Sequence, residues 1–573
     1  MMKGFNRIIK LGLVILLVGK AITACSTEYV ITNAQELSAL SLQAGDVVIM
    51  KNGTWTDQEL KFEGSGTETE PILLQAETQG EVILNGNSTL DMGGDYLIVD
   101  GLVFEGGALS DGHIIEFRTS SSNAYYSRLT NTKIIDYNPA SDATAYKWVS
   151  LYGRHNRVDH CEFTGKDNEG ALLVVWLDRS DTPEPNYHVI DHNYFGQIPE
   201  LGRNGMESIR IGTSTYSMQE SRSMVEYNLF EECDGEIEII SNKSCFNTYR
   251  YNTFRNNDGC LTLRHGNDCD VYGNFFFGSL SKGSGGVRII GEDHRVFNNY
   301  IQDMPTDGFR AAISLSNGVP DSPLNRYFQV KNAQVVNNTI VNCKYPIYIG
   351  AGESDELSLP PLNCKIANNV IARYSGEMSG MITYNDTPEN MTYFNNMFFG
   401  GNLGIIQPGG IDLTDPLLVQ SDFYRPAEES PSIGFGSNMF LSFASLDIDG
   451  QERDQGSIDA GCDQGSNDDV INKPLSKTDV GTSNPIILIN RSKKEAAQSF
   501  NIYPNPNKGE FIVNAMNPGS ITLFDLNGSL IESFEMSRNQ KRIVLPRLPS
   551  GIYLIQYQNN ESSISRRIMI QYV

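Results

Sequence analysis

A short phrase built around an asparagine recurs through the middle of the chain. Each copy has an apolar residue, two variable residues, the asparagine and then aromatic or apolar residues, as in Val225-Glu226-Tyr227-Asn228-Leu229-Phe230. The asparagines are Asn193, Asn228, Asn252, Asn274, Asn299, Asn338, Asn369 and Asn396. Repeats of roughly 20–50 residues made of short β-type phrases are typical of solenoids. The pattern predicts an all-β fold, a right-handed parallel β-helix, in which stacked asparagines form a ladder of side-chain hydrogen bonds.

The start of this repeat region carries a helix signal. Asn33-Ala34-Gln35-Glu36 has the spacing of a capping box, in which an N-cap side chain and a later Glu satisfy the first free N–H groups. We predict a short helix here that covers the open first coil, because the end of a solenoid must be capped.

The first residues of the chain have the pattern of an export signal. Lys3, Arg7 and Lys10 precede a short apolar run, far below the ~18–20 apolar residues that span a bilayer. We predict a signal peptide over residues 1–25, a secreted or cell-surface protein, and no transmembrane span. Ile22-Thr23-Ala24-Cys25 is similar to a lipoprotein cleavage site, so Cys25 is also a candidate for lipidation.

The eight cysteines that follow the leader suggest no metal site. They contain no Cys-x-x-Cys pair, so a structural zinc site is not expected. Several lie in apolar runs, where cysteine behaves as a small buried hydrophobe. Export would permit disulfides, but the spacing assigns no pairs.

The C-terminal region differs in pattern from the repeats. A polar stretch over 468–498 predicts a linker, and alternating runs over 499–573 predict a small β-sandwich. This tail resembles the C-terminal sorting domain of the type IX secretion system of Bacteroidetes, through Tyr503-Pro504-Asn505-Pro506, Asp525-Leu526-Asn527-Gly528 and Leu548-Pro549-Ser550-Gly551-Ile552-Tyr553. The resemblance implies an address tag read by the secretion machinery. A carbohydrate-binding β-module is the alternative. The β-helix domain is then 26–467.

Charge narrows the choice of partner. The chain has 573 residues, 44 of them Lys or Arg and 69 Asp or Glu, for a net charge of −25. A dedicated nucleic-acid binder would show a basic footprint instead, so we expect no nucleic-acid partner. An acidic polymer is not excluded as a substrate, because salt screens charges beyond about 8 Å and a local basic cleft can act against the global sign.

Charged residues recur once per coil along one predicted strand position. Side chains alternate in a strand, which puts Arg210, Glu238, Arg264 and Arg288 outward in what we predict is one column; Glu236 lies outward beside Glu238, and Lys243 follows the acidic strand. A surface ion-pair ladder is one interpretation. The alternative is an oxygen-ligand metal site that prefers Ca²⁺, to which Asn204 could add an oxygen.

The same residues resemble polysaccharide lyase family 6. The resemblance covers about residues 27–467, and its motifs are Asn204-Gly205-Met206-Glu207-Ser208-Ile209-Arg210, Glu236-Ile237-Glu238-Ile239-Ile240-Ser241-Asn242-Lys243 and Leu263-Arg264-His265-Gly266-Asn267. By resemblance, Asn204, Glu236 and Glu238 match calcium ligands, Lys243 matches the catalytic base and Arg264 the catalytic acid. Arg210, His265 and Arg288 match substrate-binding positions.

The family contains alginate lyases and the dermatan-sulfate-cleaving chondroitinase B. The motif Asn204-Gly205-Met206-Glu207 and the second arginine, Arg288, resemble the alginate branch. We therefore expect an alginate lyase that acts by β-elimination with Ca²⁺. A chondroitinase B-like lyase is the first alternative, and a non-catalytic glycan-binding surface β-helix is the second.

Overall fold

A computed structural model describes residues 26–280, 282–377, 379–466 and 468–483, together with most of 500–570 in shorter stretches. The predicted leader, including Cys25, lies outside the described residues. The chain forms two compact units that divide between Asn484 and Pro485. Within the described residues, no helix is long and apolar enough to cross a membrane.

The N-terminal unit is a right-handed parallel β-helix, as predicted. Its strands are distributed over three parallel sheets, which we call sheets I, II and III. Sheet I contains Glu28–Ile31, Val47–Met50, Ile72–Ala76, Leu97–Asp100, Arg128–Thr130, Arg157–Asp159, Val189–Asp191, Met224–Glu226, Thr248–Arg250, Asp270–Tyr272, Arg295–Phe297, Gln334–Val336, Lys365–Ala367 and Thr392–Phe394. Sheet II contains Glu59–Ser65, Thr89–Asp95, His113–Glu116, Ala124–Tyr125, Lys147–Leu151, Leu173–Val175, Ile209–Gly212, Glu238–Lys243, Cys260–His265, Val287–Ile289, Ile313–Ser316, Ile347–Ala351 and Ile382–Tyr384. Sheet III contains Gly53–Thr56, Val82–Gly86, Leu102–Gly107, Lys133–Ile135, Glu162–Thr164, Tyr194–Ile198, Leu229–Cys233, Thr253–Arg255, Phe275–Phe277, Tyr300–Gln302, Thr339–Val341, Val370–Ala372, Asn396–Phe399 and Ile411–Asp412.

The remaining elements of this unit are short. A hairpin pairs Leu418–Gln420 with Tyr424–Pro426. The α-helix spans Ala34–Ser38, and 3₁₀ turns span Ser214–Tyr216, Gly308–Arg310, Asn438–Phe440 and Gly481–Ser483. The predicted start of the helix is confirmed, because the Asn33 side chain accepts from the Glu36 N–H at 3.0 Å.

The asparagine ladder runs through the turn between sheets I and III, as predicted. Each Nδ2 donates to the Oδ1 of the next asparagine at 2.9–3.0 Å, in seven steps from Asn193 to Asn396. Each Oδ1 along the way also accepts the backbone N–H of the asparagine before it, as Asn252 does from Asn228 at 3.0 Å. The ladder therefore satisfies polar groups that the turn would otherwise bury without partners.

The register of sheet II corrects the predicted column of charges. Arg210 pairs with Ser241, Ser241 with Thr262, and Thr262 with Arg288. Glu238 and Arg264 lie outside this column, because Glu238 precedes Ser241 by three residues and Arg264 follows Thr262 by two. The segments that connect these strands differ in length, so the spacing of charged residues along the chain does not give the register of the strands.

Residues after the last coil return along the outside of the β-helix. Leu475 and Val480 are buried against Tyr194 and Leu229 of sheet III. The Leu475 N–H donates to Thr253 Oγ1 at 2.8 Å, and the Gly481 N–H donates to the carbonyl oxygen of His192 at 2.8 Å. The stretch 468–483, which the polar pattern assigns to a linker, is thus in contact with the β-helix.

The cysteines behave as the sequence predicts for small hydrophobes. All eight that the structure describes are buried and free: Cys161, Cys233, Cys245, Cys260, Cys269, Cys343, Cys364 and Cys462. Five of them, Cys161, Cys233, Cys269, Cys343 and Cys364, belong to the core of the β-helix, and Cys462 packs in a separate apolar cluster. Free cysteine is among the most buried residue types.

The C-terminal unit consists of two antiparallel sheets. One contains Phe500–Tyr503, Glu510–Ala515 and Gln540–Val544, and the other contains Leu530–Met536, Gly519–Phe524, Gly551–Gln558 and Ser563–Ile570. Buried residues from both sheets, among them Phe511, Ile543 and Ile555, form one apolar cluster. This is the packing expected of a small β-sandwich.

Candidate functional site

Four neighbouring strands of sheet II bring most of the predicted site residues together. Ile209–Gly212, Glu238–Lys243, Cys260–His265 and Val287–Ile289 are adjacent in the sheet. Lys243 and His265 are cross-strand partners. Gly212, with φ of +85°, permits close contact here, because a Cβ at this position would lie 2.4 Å from the carbonyl oxygen of Lys243.

Lys243 lies next to a carboxylate that sequence reasoning missed. Its Nζ is 3.5 Å from Glu207 Oε1. The Glu207 side chain is only 4 % exposed, and its Oε2 has no hydrogen-bond partner. The signal for Glu207 was in the sequence, because an acidic residue stands between the apolar Met206 and Ile209 at the start of a buried strand. Lysine and carboxylate therefore form a partly desolvated pair at the strand end.

Three carboxylates repel one another in this cluster. The pKa of Glu236 is raised to about 8 by burial, and further by the nearby charges of Glu207 and Glu238. Glu238 accepts from Ser241 Oγ, and its Oε1 lies 3.6 Å from both Arg264 Nε and Arg288 Nη1. Glu238 thus has cationic neighbours at short distance. Glu236 forms no ion pair within the described residues, and the charge of Lys243 offsets only part of the rise in the pKa of Glu236.

The two arginines are held by aromatic side chains. Tyr327 accepts a 2.8 Å hydrogen bond from Arg288 Nη2 through its hydroxyl, and Arg264 stacks over its ring with Cζ 4.1 Å from the centroid. Arg288 also lies 3.8 Å from the Phe309 ring centroid. Burial lowers the pKa of Arg264 from its ordinary value. Tyr327 and Phe309 come from loops that share no motif with the arginines, so nothing in the sequence pattern indicated them.

His265 and Arg210 flank the centre. His265 Nε2 lies 3.1 Å from Ser214 Oγ, and burial, with the charges of Arg264 and Lys243, lowers the pKa of His265 to about 3. His265 is therefore a neutral hydrogen-bonding group at physiological pH. Arg210 approaches the Trp176 ring, with Cζ 5.8 Å from its centroid.

Several of these site residues carry buried polar atoms without partners. Among the described residues, buried side-chain nitrogen and oxygen atoms without a hydrogen-bond partner include Glu207 Oε2, Arg210 Nε, Arg264 Nη1 and Arg288 Nε. Buried polar groups are normally satisfied. A ligand that supplies both acceptors for arginine and a cation for carboxylate would satisfy this set.

The predicted calcium ligands offer the correct donor chemistry. Asn204 is exposed, and its neighbour Gly205 donates a backbone N–H to Glu236. Among the described residues, no three His, Cys, Asp or Glu side chains are arranged to hold a metal by themselves. Ca²⁺ also accepts amide and water oxygens. The repelling carboxylates and the unpartnered Glu207 Oε2 fit a divalent cation at this end of the strand.

Two family models match separate parts of the chain. Residues 31–432 match the family model described as Chondroitinase B, and residues 501–571 match the secretion system C-terminal sorting domain. No curated protein matches the sequence.

Solved structures of polysaccharide lyase family 6 are similar to the chain. The alginate lyase AlyGC is 34 % identical with a TM-score of 0.70, and the match covers 84 % of this chain and 60 % of that enzyme. A mannuronic acid specific family 6 lyase from human gut microbiota is 32 % identical with a TM-score of 0.62, covering 68 % of this chain and 91 % of the other. Pedsa3628 from Pseudopedobacter saltans is 28 % identical with a TM-score of 0.60, covering 80 % and 100 %.

The chain thus spans about three fifths of the length of AlyGC. The family match extends across most of the β-helix and includes every strand that carries a site residue. The chain belongs to the chondroitinase B family, polysaccharide lyase family 6.

Proposed function

We propose that the protein is a polyuronate lyase that cleaves alginate by β-elimination. The observation that carries the proposal is the cluster in which Lys243 adjoins a buried carboxylate, while neighbouring strands of sheet II carry arginines with unpaired nitrogens. Such a cluster can hold an anionic sugar and also exchange protons with it. The alginate lyases among the similar structures support this substrate.

The reaction needs one base and one acid. A uronate has a proton on C5, next to its carboxylate, and the next sugar leaves through the C4 oxygen. Lys243, in its neutral form, accepts the C5 proton. The electrons of that C–H bond form the C4–C5 double bond, the C4–O bond breaks, and the departing oxygen receives a proton. The products are a 4,5-unsaturated uronate end and a new hydroxyl end.

Arg264 stabilises and protonates the leaving oxygen. Its guanidinium is buried beside Glu238 and Tyr327, so its position is restricted. The lowered pKa of Arg264 favours donation relative to an exposed arginine, although arginine remains a weak acid. Its charge contributes throughout, because a preorganised cation stabilises negative charge as that charge develops on the oxygen.

Neutralising the substrate carboxylate is the remaining requirement. Arg210, His265 and Arg288 supply hydrogen-bond donors to it. Asn204, Glu236 and Glu238, with Glu207 adjacent, would hold a Ca²⁺ ion, which would supply positive charge that makes the C5 proton more acidic. These groups also hold the bound sugar so that its C5 proton and C4 oxygen lie in a reactive orientation.

A chondroitinase B-like activity on dermatan sulfate is the second candidate, because the matching family model carries that description. The presence of Arg288 and the 34 % identity to an alginate lyase favour alginate. A non-catalytic glycan-binding β-helix would have no need for a complete set of Lys243, Arg264 and acidic residues.

One measurement separates these candidates. The purified protein is mixed with alginate, dermatan sulfate or pectate, and ultraviolet absorbance of the conjugated uronate double bond is followed. We expect a rise with alginate and a smaller rise after EDTA treatment that added Ca²⁺ restores. A rise only with dermatan sulfate would select the second candidate, and no rise with any polymer would indicate the binding protein.

We further propose that the C-terminal unit directs export through the type IX secretion machinery and contributes nothing to catalysis. The match to the sorting domain supports this role. A chain that ends at Ser483, after the last described contact with the β-helix, should retain full lyase activity. Loss of activity in a folded chain of that length would assign the C-terminal unit a functional role.

A further inference from the structure

A groove lies along the C-terminal ends of the sheet II strands, where Lys243 also lies, but in the coils nearer the N-terminus. Its volume is about 490 Å³. It follows the ends of the strands His113–Glu116, Lys147–Leu151 and Leu173–Val175. The residues that matter for its chemistry are Arg118, Tyr152, Arg154, Trp176, Asp178 and Arg179.

Two stacked aromatic rings form a wall of this groove. Tyr152 and Trp176 stack with centroids 5.7 Å apart and an interplanar angle of 14°. Trp176 Nε1 donates to Ser150 Oγ at 3.2 Å, which orients the indole. Both side chains are half-buried rather than covered. Aromatic side chains of this kind combine a large apolar surface with a polar edge, which suits the apolar faces and hydroxyl rims of sugars.

Arginines lie against these rings. The Arg118 guanidinium is 3.9 Å from the Tyr152 centroid, and that of Arg179 is 5.4 Å from both Trp176 and Tyr216. Arg118 pairs with Glu116. In the part of the chain that the structure describes, no carboxylate lies within ion-pair distance of Arg179; the adjacent Asp178 instead accepts backbone N–H groups of its own loop. Arg179 is therefore an exposed cation held in place by aromatic rings.

The groove adjoins the candidate catalytic centre. Arg210 of the catalytic cluster lies near Trp176, with its Cζ 5.8 Å from the ring centroid. The strand that precedes Trp176 is two strands from the one that carries Lys243, which corresponds to about 10 Å at the usual strand spacing. Tyr152 is one strand farther. A linear polymer that reaches Lys243 would pass this wall.

We propose that this groove is a distal binding site for the carboxylated polysaccharide, in which Trp176 and Tyr152 contact sugar rings and Arg179 pairs with a uronate carboxylate. The proposal rests on the proposed lyase function. Arg118 and Arg154 form ion pairs with Glu116 and Glu184. Arg179 is therefore the groove cation that points to an anionic partner, since a local field acts at short range regardless of the total charge of −25. Short oligomers bound at Lys243 would not reach the groove, whereas long chains would occupy both.

The test compares long and short substrates. The variants Arg179→Ala and Tyr152→Ala are assayed on polymeric alginate and on trisaccharides, with Arg255→Ala as matched control. Arg255 also stacks on a ring, Phe277 at 4.8 Å, but belongs to sheet III. We expect kcat/KM on the polymer to fall on the order of tenfold, as for loss of a charged hydrogen bond, with trisaccharide cleavage unchanged. Equal losses on both substrates, or none on the polymer, would overturn the proposal.

Binding without turnover provides a second measurement. In a Lys243→Ala background, affinity for polymeric alginate is measured by calorimetry with and without Trp176→Ala. Weaker binding in the double variant supports the groove, and unchanged binding contradicts it. Failure of the proposed function would give a different result: the wild-type protein would cleave no polyuronate, whatever the affinity of the groove variants.

Discussion

Buried polar groups are satisfied in the asparagine turn but only partly satisfied at the catalytic edge, the part of sheet II that carries Lys243, Arg264 and Arg288. At the turn, each asparagine amide bonds the next asparagine and each side-chain oxygen accepts a backbone N–H. At the edge, the side chains of Glu207, Arg210, Arg264 and Arg288 retain buried atoms without partners. The same solenoid thus contains one fully satisfied polar column and one incomplete polar cluster.

This difference separates stability from function. An unsatisfied buried polar atom costs about 1–3 kcal/mol, so the catalytic edge is destabilising in the absence of ligand. The ladder, with its repeated hydrogen bonds, holds adjacent coils together. Substitutions at the ladder should therefore change unfolding, and substitutions at the edge should change turnover.

The largest effect should come from Lys243→Ala. Loss of the base should lower turnover by 10²–10⁴-fold, the usual contribution of a positioned general base, with little change in the melting temperature. Lys331→Ala is the control, because Lys331 pairs with Glu292 on the surface. Retention of more than a few per cent of the wild-type rate would refute the assignment of Lys243 as base.

Asn299→Ala should instead destabilise the fold. The substitution removes the acceptor of the Asn274 N–H and side-chain amide, at 3.1 and 2.9 Å. Leaving these groups buried and unpaired should cost roughly 3 kcal/mol of unfolding free energy, measured by urea denaturation. Activity per folded molecule at low temperature should not change. A loss of activity without a loss of stability would contradict the separation of the two regions.

Tyr327→Phe tests whether an aromatic loop positions the arginines. The substitution removes the hydroxyl that accepts from Arg288 and keeps the ring beneath Arg264. Loss of a hydrogen bond to a charged group costs about 1.5–3 kcal/mol, so kcat/KM should fall about tenfold or more. The melting temperature should stay near that of the wild type. Tyr327→Ala should have the larger effect, since both arginines then lose the ring.

The smallest effect concerns a second ladder, between sheets II and I. His294 Nδ1 accepts from the Cys269 N–H at 3.1 Å, as Asn247 does from Ser223 at 2.9 Å. Burial lowers the pKa of His294 to about 4. The unfolded chain then binds more protons between pH 4 and 6.5, so this contribution to stability is present above pH 6.5 and is lost as the pH falls toward 4.

His294→Asn should keep the acceptor and remove the titration. Between pH 7 and 5 the wild type should lose roughly 1–2 kcal/mol more unfolding free energy than the variant, at about 1.4 kcal/mol per unit of pH. Urea midpoints at the two pH values provide the measurement. Equal losses in both proteins would mean that His294 is not responsible.

Much of the site could be anticipated from local sequence, but its register could not. The motif around Glu236, Glu238 and Lys243 is contiguous, and its residues do meet on one edge. The predicted column was wrong because the charged residues do not occupy paired positions: Glu238 precedes Ser241 by three residues, and Arg264 follows Thr262 by two. Ser241 and Thr262, rather than Glu238 and Arg264, align with the outer arginines.

The sequence by itself determined the β-helix, its asparagine ladder, the capped first helix and the residue types of the site, because each follows from a short repeated phrase or a local motif. Only the tertiary structure decided that Glu207 contacts Lys243, that Tyr327 contacts two arginines, and that Trp176 lies near Arg210. These contacts join residues on different coils through loops of unequal length. Loop length is weakly constrained in energy, so spacing along the chain does not reveal which side chains meet.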